Sequence, residues 1–148
     1  MTLDDVIRTL DLIPHPEGGW YAEAHRIPDP HGHGHRSPGT AIYYALGAGD
    51  RSHWHRVDAT EIWHYYAGAP LELSLAVSDQ SRVKTRTLGV DLAAGQRPQL
   101  IVPPHHWQAA RSLGDWTLVG CTVSPGFEFS GFEMAAPDWS PGPHNSSH

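Results

Sequence analysis

The order of hydrophobic and polar positions predicts one short helix followed by many short β-strands. Apolar side chains near the N-terminus recur at helical spacing and would share one helix face over residues 2–12: Leu3, Val6, Ile7 and Leu10. Thr2 is a residue type that caps helix starts, and Pro14 cannot continue the helix. We therefore expect a single helix at this end of the chain.

Beyond the helix the pattern becomes that of strands. Residues 71–77, LELSLAV, alternate apolar and polar side chains, which is typical of a strand with one buried face. Other strand-like runs are separated by turns, at 40–46, 51–57, 61–67, 83–88, 99–102, 108–111, 116–123 and 127–135. This number and spacing of strands predict an all-β barrel or jelly roll.

The chain of 148 residues is long enough for one domain with a real core. No internal repeat or linker divides it, so we expect a single domain over residues 1–139. Residues 140–148 are rich in Pro, Ser and His and are expected to form a flexible tail.

Charge argues against two classes of partner. The net charge is −6, with only 10 Lys and Arg residues, whereas nucleic-acid binders and proteins of anionic membrane surfaces need a basic patch. No apolar run reaches the roughly 18 residues of a membrane span, and the N-terminus does not resemble a signal peptide. We expect no nucleic-acid or membrane partner and a cytoplasmic location.

Candidate chemistry concentrates in residues 53–68. On a regular strand His53 and His55 point to the same face, and Glu61, Trp63 and Tyr65 share a face of the next strand. If both faces line the barrel, two imidazoles meet a carboxylate in an aromatic cavity. Such a cluster can bind a divalent metal or act as a general acid and base. A purely structural polar network is the third interpretation.

The same stretch resembles the first cupin motif, which is His-X-His, three or four residues, Glu, six residues and Gly. Here five residues separate His55 from Glu61, and Gly68 closes the motif. Residues 95–108 resemble the second cupin motif more loosely. His105 stands where Gly is usual, and Gln108 stands where the fourth metal ligand, a His, is usual.

Most of the chain, from about residue 3 to residue 139, is similar to a small uncharacterised cupin family within the RmlC-like superfamily. The similar segments are residues 12–21, 40–44, 54–58, 61–64 and 119–127. This resemblance implies an all-β cupin double-stranded β-helix and a homodimer, but it implies no established reaction. The motif places Gln108 opposite His53, His55 and Glu61.

Three function hypotheses follow, and whether the protein is an enzyme stays open. The first is a small-molecule cupin resembling a metal-independent epimerase or isomerase of a sugar-like metabolite. It uses His55 as the base and Glu61 or a Tyr as its partner. The second is a metal-dependent enzyme in which His53, His55, Glu61 and Gln108 hold Fe, Mn, Ni or Zn. The third is a metabolite-binding module without catalysis.

Three further residues are assigned to the ligand pocket. Trp63 and Tyr65 are candidates for its wall, because they share the face of Glu61. Glu17, in the Glu17-Gly18-Gly19 segment, is a candidate for its mouth. We expect a small-molecule ligand in this pocket.

Overall fold

Eleven strands and one α-helix make up the parts of the chain that the computed structural model describes, residues 1–32 and 34–145. The helix is α1 (Leu3–Leu10). The strands are β1 (Ile13–Pro14), β2 (Trp20–Arg26), β3 (Thr40–Gly47), β4 (Arg51–Val57), β5 (Thr60–Gly68), β6 (Leu71–Ala76), β7 (Lys84–Leu88), β8 (Gln99–Val102), β9 (Trp107–Ser112), β10 (Trp116–Ser124) and β11 (Phe132–Met134). Short 3-10 turns lie at Leu92–Ala94 and Phe129–Gly131.

Two antiparallel sheets face each other and enclose the core. One sheet has the order β1-β2-β3-β10-β5-β8, and the other has the order β11-β4-β9-β6-β7. Alternate side chains of both sheets point inward, as Leu71 and Leu73 do on β6. The main core cluster comprises Tyr44, Leu46, Trp63, Leu71, Leu73, Leu88, Leu100, Val102, Ala110, Val119 and Cys121. The expected all-β jelly roll is confirmed.

Helix α1 covers the outer face of the first sheet. Its start is fixed by a capping box, in which the Thr2 hydroxyl accepts from the Asp5 N–H and the Asp5 carboxylate accepts from the Thr2 N–H. Val6 packs with Leu12 and with Ala45 on the outward side of β3. The helix thus closes one face of the barrel and leaves the interior to the strands.

A bulge in β4 changes which side chains face the barrel. Ser52 pairs with Ala110 and His55 pairs with Gln108, so three steps on β4 match two steps on β9. One extra residue in a strand breaks the simple alternation of side chains. Trp54 joins a separate buried cluster with Trp107, whereas His55 faces the barrel interior.

The last predicted strand is shorter in the structure. Residues 127–131 leave the sheet through the 3-10 turn, where the Gly131 N–H donates to the Glu128 carbonyl, and only β11 pairs with β4.

In the C-terminal segment, the Gly142 N–H and the Asn145 side chain both donate to the Asp79 carbonyl. Residues 146–148 of the expected tail lie outside the described residues. None of the described helices has the length and apolar content needed to cross a membrane.

Candidate active site

A cavity of about 470 Å³ opens between the two sheets and combines polar and aromatic walls. Strands β2, β3, β4, β5 and β10 contribute to it, together with the segment before β2 and residues 127–132. The lining residues are His15, Glu17, Tyr21, Glu23, Arg26, Ile42, His55, Val57, Glu61, Val123, Phe127, Glu128, Phe129 and Phe132. This volume falls in the range of small-molecule sites.

Glu17 reaches the cavity because its backbone is held closely against β4. The His53 N–H donates to the Glu17 carbonyl at 2.8 Å. The next residue, Gly18, has φ +106°, and a Cβ there would lie 1.9 Å from the Arg51 carbonyl oxygen. Only glycine fits this approach, so the Gly18 position fixes the direction of the Glu17 side chain. Glu17 is deeply buried rather than at the mouth.

His55 and Glu17 form a buried ion pair. Nε2 of His55 lies 2.7 Å from Oε2 of Glu17, and Nδ1 of His55 lies 2.7 Å from the His53 carbonyl oxygen. A carbonyl only accepts, so Nδ1 carries a proton, and Nε2 donates to the carboxylate. Burial by itself would lower the pKa of His55, but attraction to Glu17 outweighs it and raises the pKa to about 9. His55 is therefore an imidazolium at neutral pH.

His15, in contrast to His55, is uncharged. The Glu17 N–H donates to Nδ1 of His15 at 3.1 Å, which requires an unprotonated Nδ1 and places the proton on Nε2. Burial lowers the pKa of His15, so the neutral ring is favoured. The ring meets Tyr21 edge-on, with 4.5 Å between the ring centroids. His15 thus gives the cavity a neutral N–H donor.

Glu61 is the second buried carboxylate of the cavity. Burial raises the pKa of Glu61 to about 7, although attraction to His55 opposes this effect. Among the described residues, the only imidazolium near the two carboxylates, that of His55, is paired with Glu17. Its attraction therefore only partly lowers the pKa of Glu61. At neutral pH Glu61 therefore exists in both the protonated and the ionised form.

Gln108 holds Glu61 in position. Nε1 of Trp63 donates to Oε1 of Gln108 at 2.8 Å, and Nε2 of Gln108 donates to Oε1 of Glu61 at 2.8 Å. Because an indole N–H can only donate, it fixes the orientation of the Gln108 amide and thereby directs the amide N–H to Glu61. All three side chains are buried. The chain from Trp63 through Gln108 to Glu61 thus orients the carboxylate.

The structure brings some of the predicted site residues together and separates others. His55, Glu61 and Glu17 line the cavity, with Gln108 behind Glu61. Trp63 lies in the core, and the Tyr65 hydroxyl donates to the Gly68 carbonyl away from the cavity lining.

His53 departs from the expectation that it shares a face with His55. Its Nε2 lies 2.8 Å from the Ala136 carbonyl oxygen, on the segment that packs over Trp54. The bulge in β4 is the physical reason, because it reverses the side-chain alternation between Ser52 and His55.

The metal set suggested by the cupin resemblance does not fit this arrangement. Nε2 of His55 is directed at Glu17 and its Nδ1 at the His53 carbonyl, and the His53 side chain points elsewhere, to the Ala136 carbonyl. The oxygen of Gln108 already accepts from Trp63. Among residues 1–32 and 34–145, no group of three or more His, Cys, Asp or Glu side chains is arranged as metal ligands.

His15 and three phenylalanines of the cavity were not among the predicted site residues. His15 lies two residues before Glu17, in a segment that the sequence marks by its Pro and Gly residues and by its family resemblance, but without a role for His15. Phe127, Phe129 and Phe132 were assigned to a strand, where alternation says nothing about a cavity wall. Only the glycines after Glu17 signalled a constrained backbone near the site.

The two-sheet barrel with a polar interior cavity defines a cupin. A family profile described as Cupin superfamily (DUF985) matches residues 4–135, and the chain belongs to this family. A comparison with curated proteins finds no match.

Solved structures agree with this membership. A protein of Shewanella oneidensis is 39% identical over 92% of this chain and 85% of its own, with a TM-score of 0.85. A hypothetical protein from Leishmania major is 30% identical over 92% of this chain and 88% of its own, with a TM-score of 0.80. A dTDP sugar isomerase from Desulfovibrio desulfuricans is 15% identical over 86% and 88% of the two chains, with a TM-score of 0.58, and shares the fold.

Proposed function

We propose that the protein is an enzyme that moves a proton at a carbon next to a carbonyl group of a small metabolite, as isomerases and epimerases do. The observation that carries the proposal is the pair of buried carboxylates around one imidazolium in a cavity of ligand size. Paired titratable groups whose surroundings drive their pKa values apart are typical of acid–base sites.

Glu61 is the favoured base. Its pKa of about 7 matches the optimum for taking up and returning a proton at neutral pH. His55 is less suited, because both of its nitrogens already carry protons and donate to fixed acceptors. The sequence-based assignment of the base to His55 is therefore replaced in this proposal. His55 instead pairs with the Glu17 carboxylate and attracts the Glu61 carboxylate.

His15 supplies the second requirement of the reaction. When the C–H bond breaks, the proton passes to the Glu61 carboxylate and the electron pair moves onto the carbonyl oxygen. The Nε2–H of His15 donates to that oxygen as a neutral group, which stabilises the developing charge. Delivery of this proton from Glu61 to the former carbonyl carbon, with transfer of the neighbouring hydroxyl proton to the oxygen that carried the charge, completes the isomerisation without any external oxidant or reductant.

The test is proton exchange with solvent. Sugars and hydroxy-ketones are incubated with the protein in D₂O, and loss of a C–H signal is followed by proton NMR. We expect exchange in at least one compound and a reduction of about 10²- to 10⁴-fold in Glu61→Gln. The control is Glu72→Gln, which changes a carboxylate on the outer surface next to Arg111.

A binding module without catalysis is the outcome if ligands bind and no exchange occurs. Equal exchange in wild type and Glu61→Gln would reject Glu61 as the base.

A further inference from the structure

The inner part of the cavity offers groups that pair with hydroxyls. Glu17 and Glu61 present carboxylate oxygens, which accept hydrogen bonds, and His15 presents an N–H donor. A ligand with several hydroxyl groups can donate to the carboxylates and accept from His15 at the same time. The inner surface thus matches a polyol better than it matches an apolar molecule.

The outer part of the cavity is an aromatic wall formed by Phe127, Phe129 and Phe132. The ring centroids of Phe127 and Phe129 are 5.0 Å apart, and those of Phe129 and Phe132 are 6.0 Å apart, both edge-to-face. Phe129 keeps 53% of its surface exposed at this wall. An aromatic ring at a cavity wall gives a ligand ring an apolar face to pack on.

The charges around the cavity are unfavourable for an anion. Arg26 is the one Arg or Lys among the described lining residues, and its guanidinium is already bound to Glu23 at 2.7 Å and to the Phe127 carbonyl at 3.0 Å. The other cation of the lining, His55, is paired with Glu17, and the lining also holds Glu61 and the exposed Glu128. A phosphate or carboxylate entering here would face carboxylates without a free cation, which opposes binding.

We infer that the ligand of this cavity is an uncharged, hydroxyl-rich ring, namely an unmodified sugar, whose ring-opened form carries the carbonyl group, and not its phosphorylated or carboxylated derivative. This deepens the proposed function, on which it rests only in taking the cavity as the substrate site. Three interactions recognise this ligand. Its hydroxyl groups hydrogen-bond to the two carboxylates and to His15, and its ring C–H groups pack on the phenylalanine wall. The acidic lining repels anions.

The experiment compares matched ligands on the full chain. D-glucose, D-galactose and D-mannose are each tested beside the 6-phosphate and the uronic acid, by saturation-transfer NMR and calorimetry. At least one neutral sugar is expected to bind at least about tenfold more tightly than both of its anionic partners. Tighter binding of the anionic forms overturns the inference, and so does the absence of neutral-sugar binding at millimolar concentration.

A variant tests the role of charge directly. Glu23→Gln removes the carboxylate partner of Arg26, so the preference for neutral sugar over its phosphate should fall by about fivefold. The matched control Glu72→Gln breaks a similar pair with Arg111 outside the cavity and should leave the preference unchanged. An unchanged preference in Glu23→Gln contradicts the charge argument.

Neutral binding without proton exchange would reject the proposed function and leave this inference standing.

Discussion

Nε2 of His55 lies 2.7 Å from Oε2 of Glu17, although β2 and β3 separate the two residues along the chain. Both side chains are almost fully buried, with 3% and 7% of their surface exposed. Removing one member of a buried ion pair leaves the other as an uncompensated charge, which is strongly destabilising. The pair therefore couples the chemistry of the cavity to the stability of the barrel.

The free energy of unfolding should fall as pH rises from about 6.5 to 9. The folded chain keeps the His55 proton up to about pH 9, whereas the unfolded chain loses it near 6.5. A proton held only by the folded state changes stability by up to about 1.4 kcal/mol per pH unit. Glu61, with its pKa raised to about 7, acts in the same direction from about pH 4.5.

Below pH 6.5 the lowered pKa of His15 has the opposite effect on stability from the raised pKa of Glu61. The unfolded chain binds the His15 proton at a higher pH than the folded chain, so the free energy of unfolding falls as pH decreases. The lowered pKa of Glu17 removes stability only below pH 4.5. Urea unfolding from pH 5 to 9 checks the profile. Glu17→Gln should remove most of the alkaline decline, whereas Glu72→Gln should keep it. A wild-type profile that is flat above pH 6.5 would contradict the assignment of the imidazolium.

Substitution of Gln108 by Leu should destabilise the protein by about 1–3 kcal/mol, because it leaves the buried Trp63 N–H unpaired. In Trp63→Phe the Gln108 amide oxygen loses its hydrogen-bond donor. The double variant removes both ends of this one hydrogen bond, so the bond is lost only once. The two changes should therefore be less than additive in urea unfolding. Strict additivity would mean that the two side chains do not interact. The pKa of Glu61 should also rise in Gln108→Leu, since the amide hydrogen bond lowers it.

The two histidines of the first motif should differ sharply. His55→Asn removes the partner of Glu17 and should lower ligand binding and alter the titration of the cavity. His53→Asn should leave both unchanged and affect only the Ala136 segment, measured as faster proteolysis near the C-terminus. Metal content of the purified variants is the decisive comparison, because equal loss of bound metal in both would support the metal-dependent hypothesis.

His105 should tolerate glycine better than alanine. Its φ is +65°, in the left-handed region where side chains are disfavoured, and it stands where the second cupin motif has Gly. We expect His105→Gly to be about 1 kcal/mol more stable than His105→Ala in thermal unfolding. His106 does not have this backbone conformation, so at that position alanine should be at least as stable as glycine. The same order at both positions would contradict the explanation.

The sequence alone was sufficient for the architecture. Alternation in residues 71–77 predicted a strand with Leu71, Leu73, Leu75 and Val77 on one face. The structure confirms the strand in β6 with Leu71 and Leu73 buried, whereas Val77 lies beyond the end of β6 and is exposed. The helix and the turns follow from local rules that act over a few residues. The motif around His55 and Glu61 also pointed to the stretch of chain that lines the cavity.

Only the tertiary structure decided which residues form the site and which of them are charged. A single extra residue in β4 turned His53 away from His55, and no local pattern reports a bulge that depends on pairing with β9. Glu17 and His15 arrive from a distant segment through the close approach of Gly18 to β4. Pairing with Glu17 makes His55 charged, whereas burial makes His15 neutral and raises the pKa of Glu61 to about 7. Burial and pairing between distant strands are properties of the folded chain, so they determine this chemistry only after the barrel has closed.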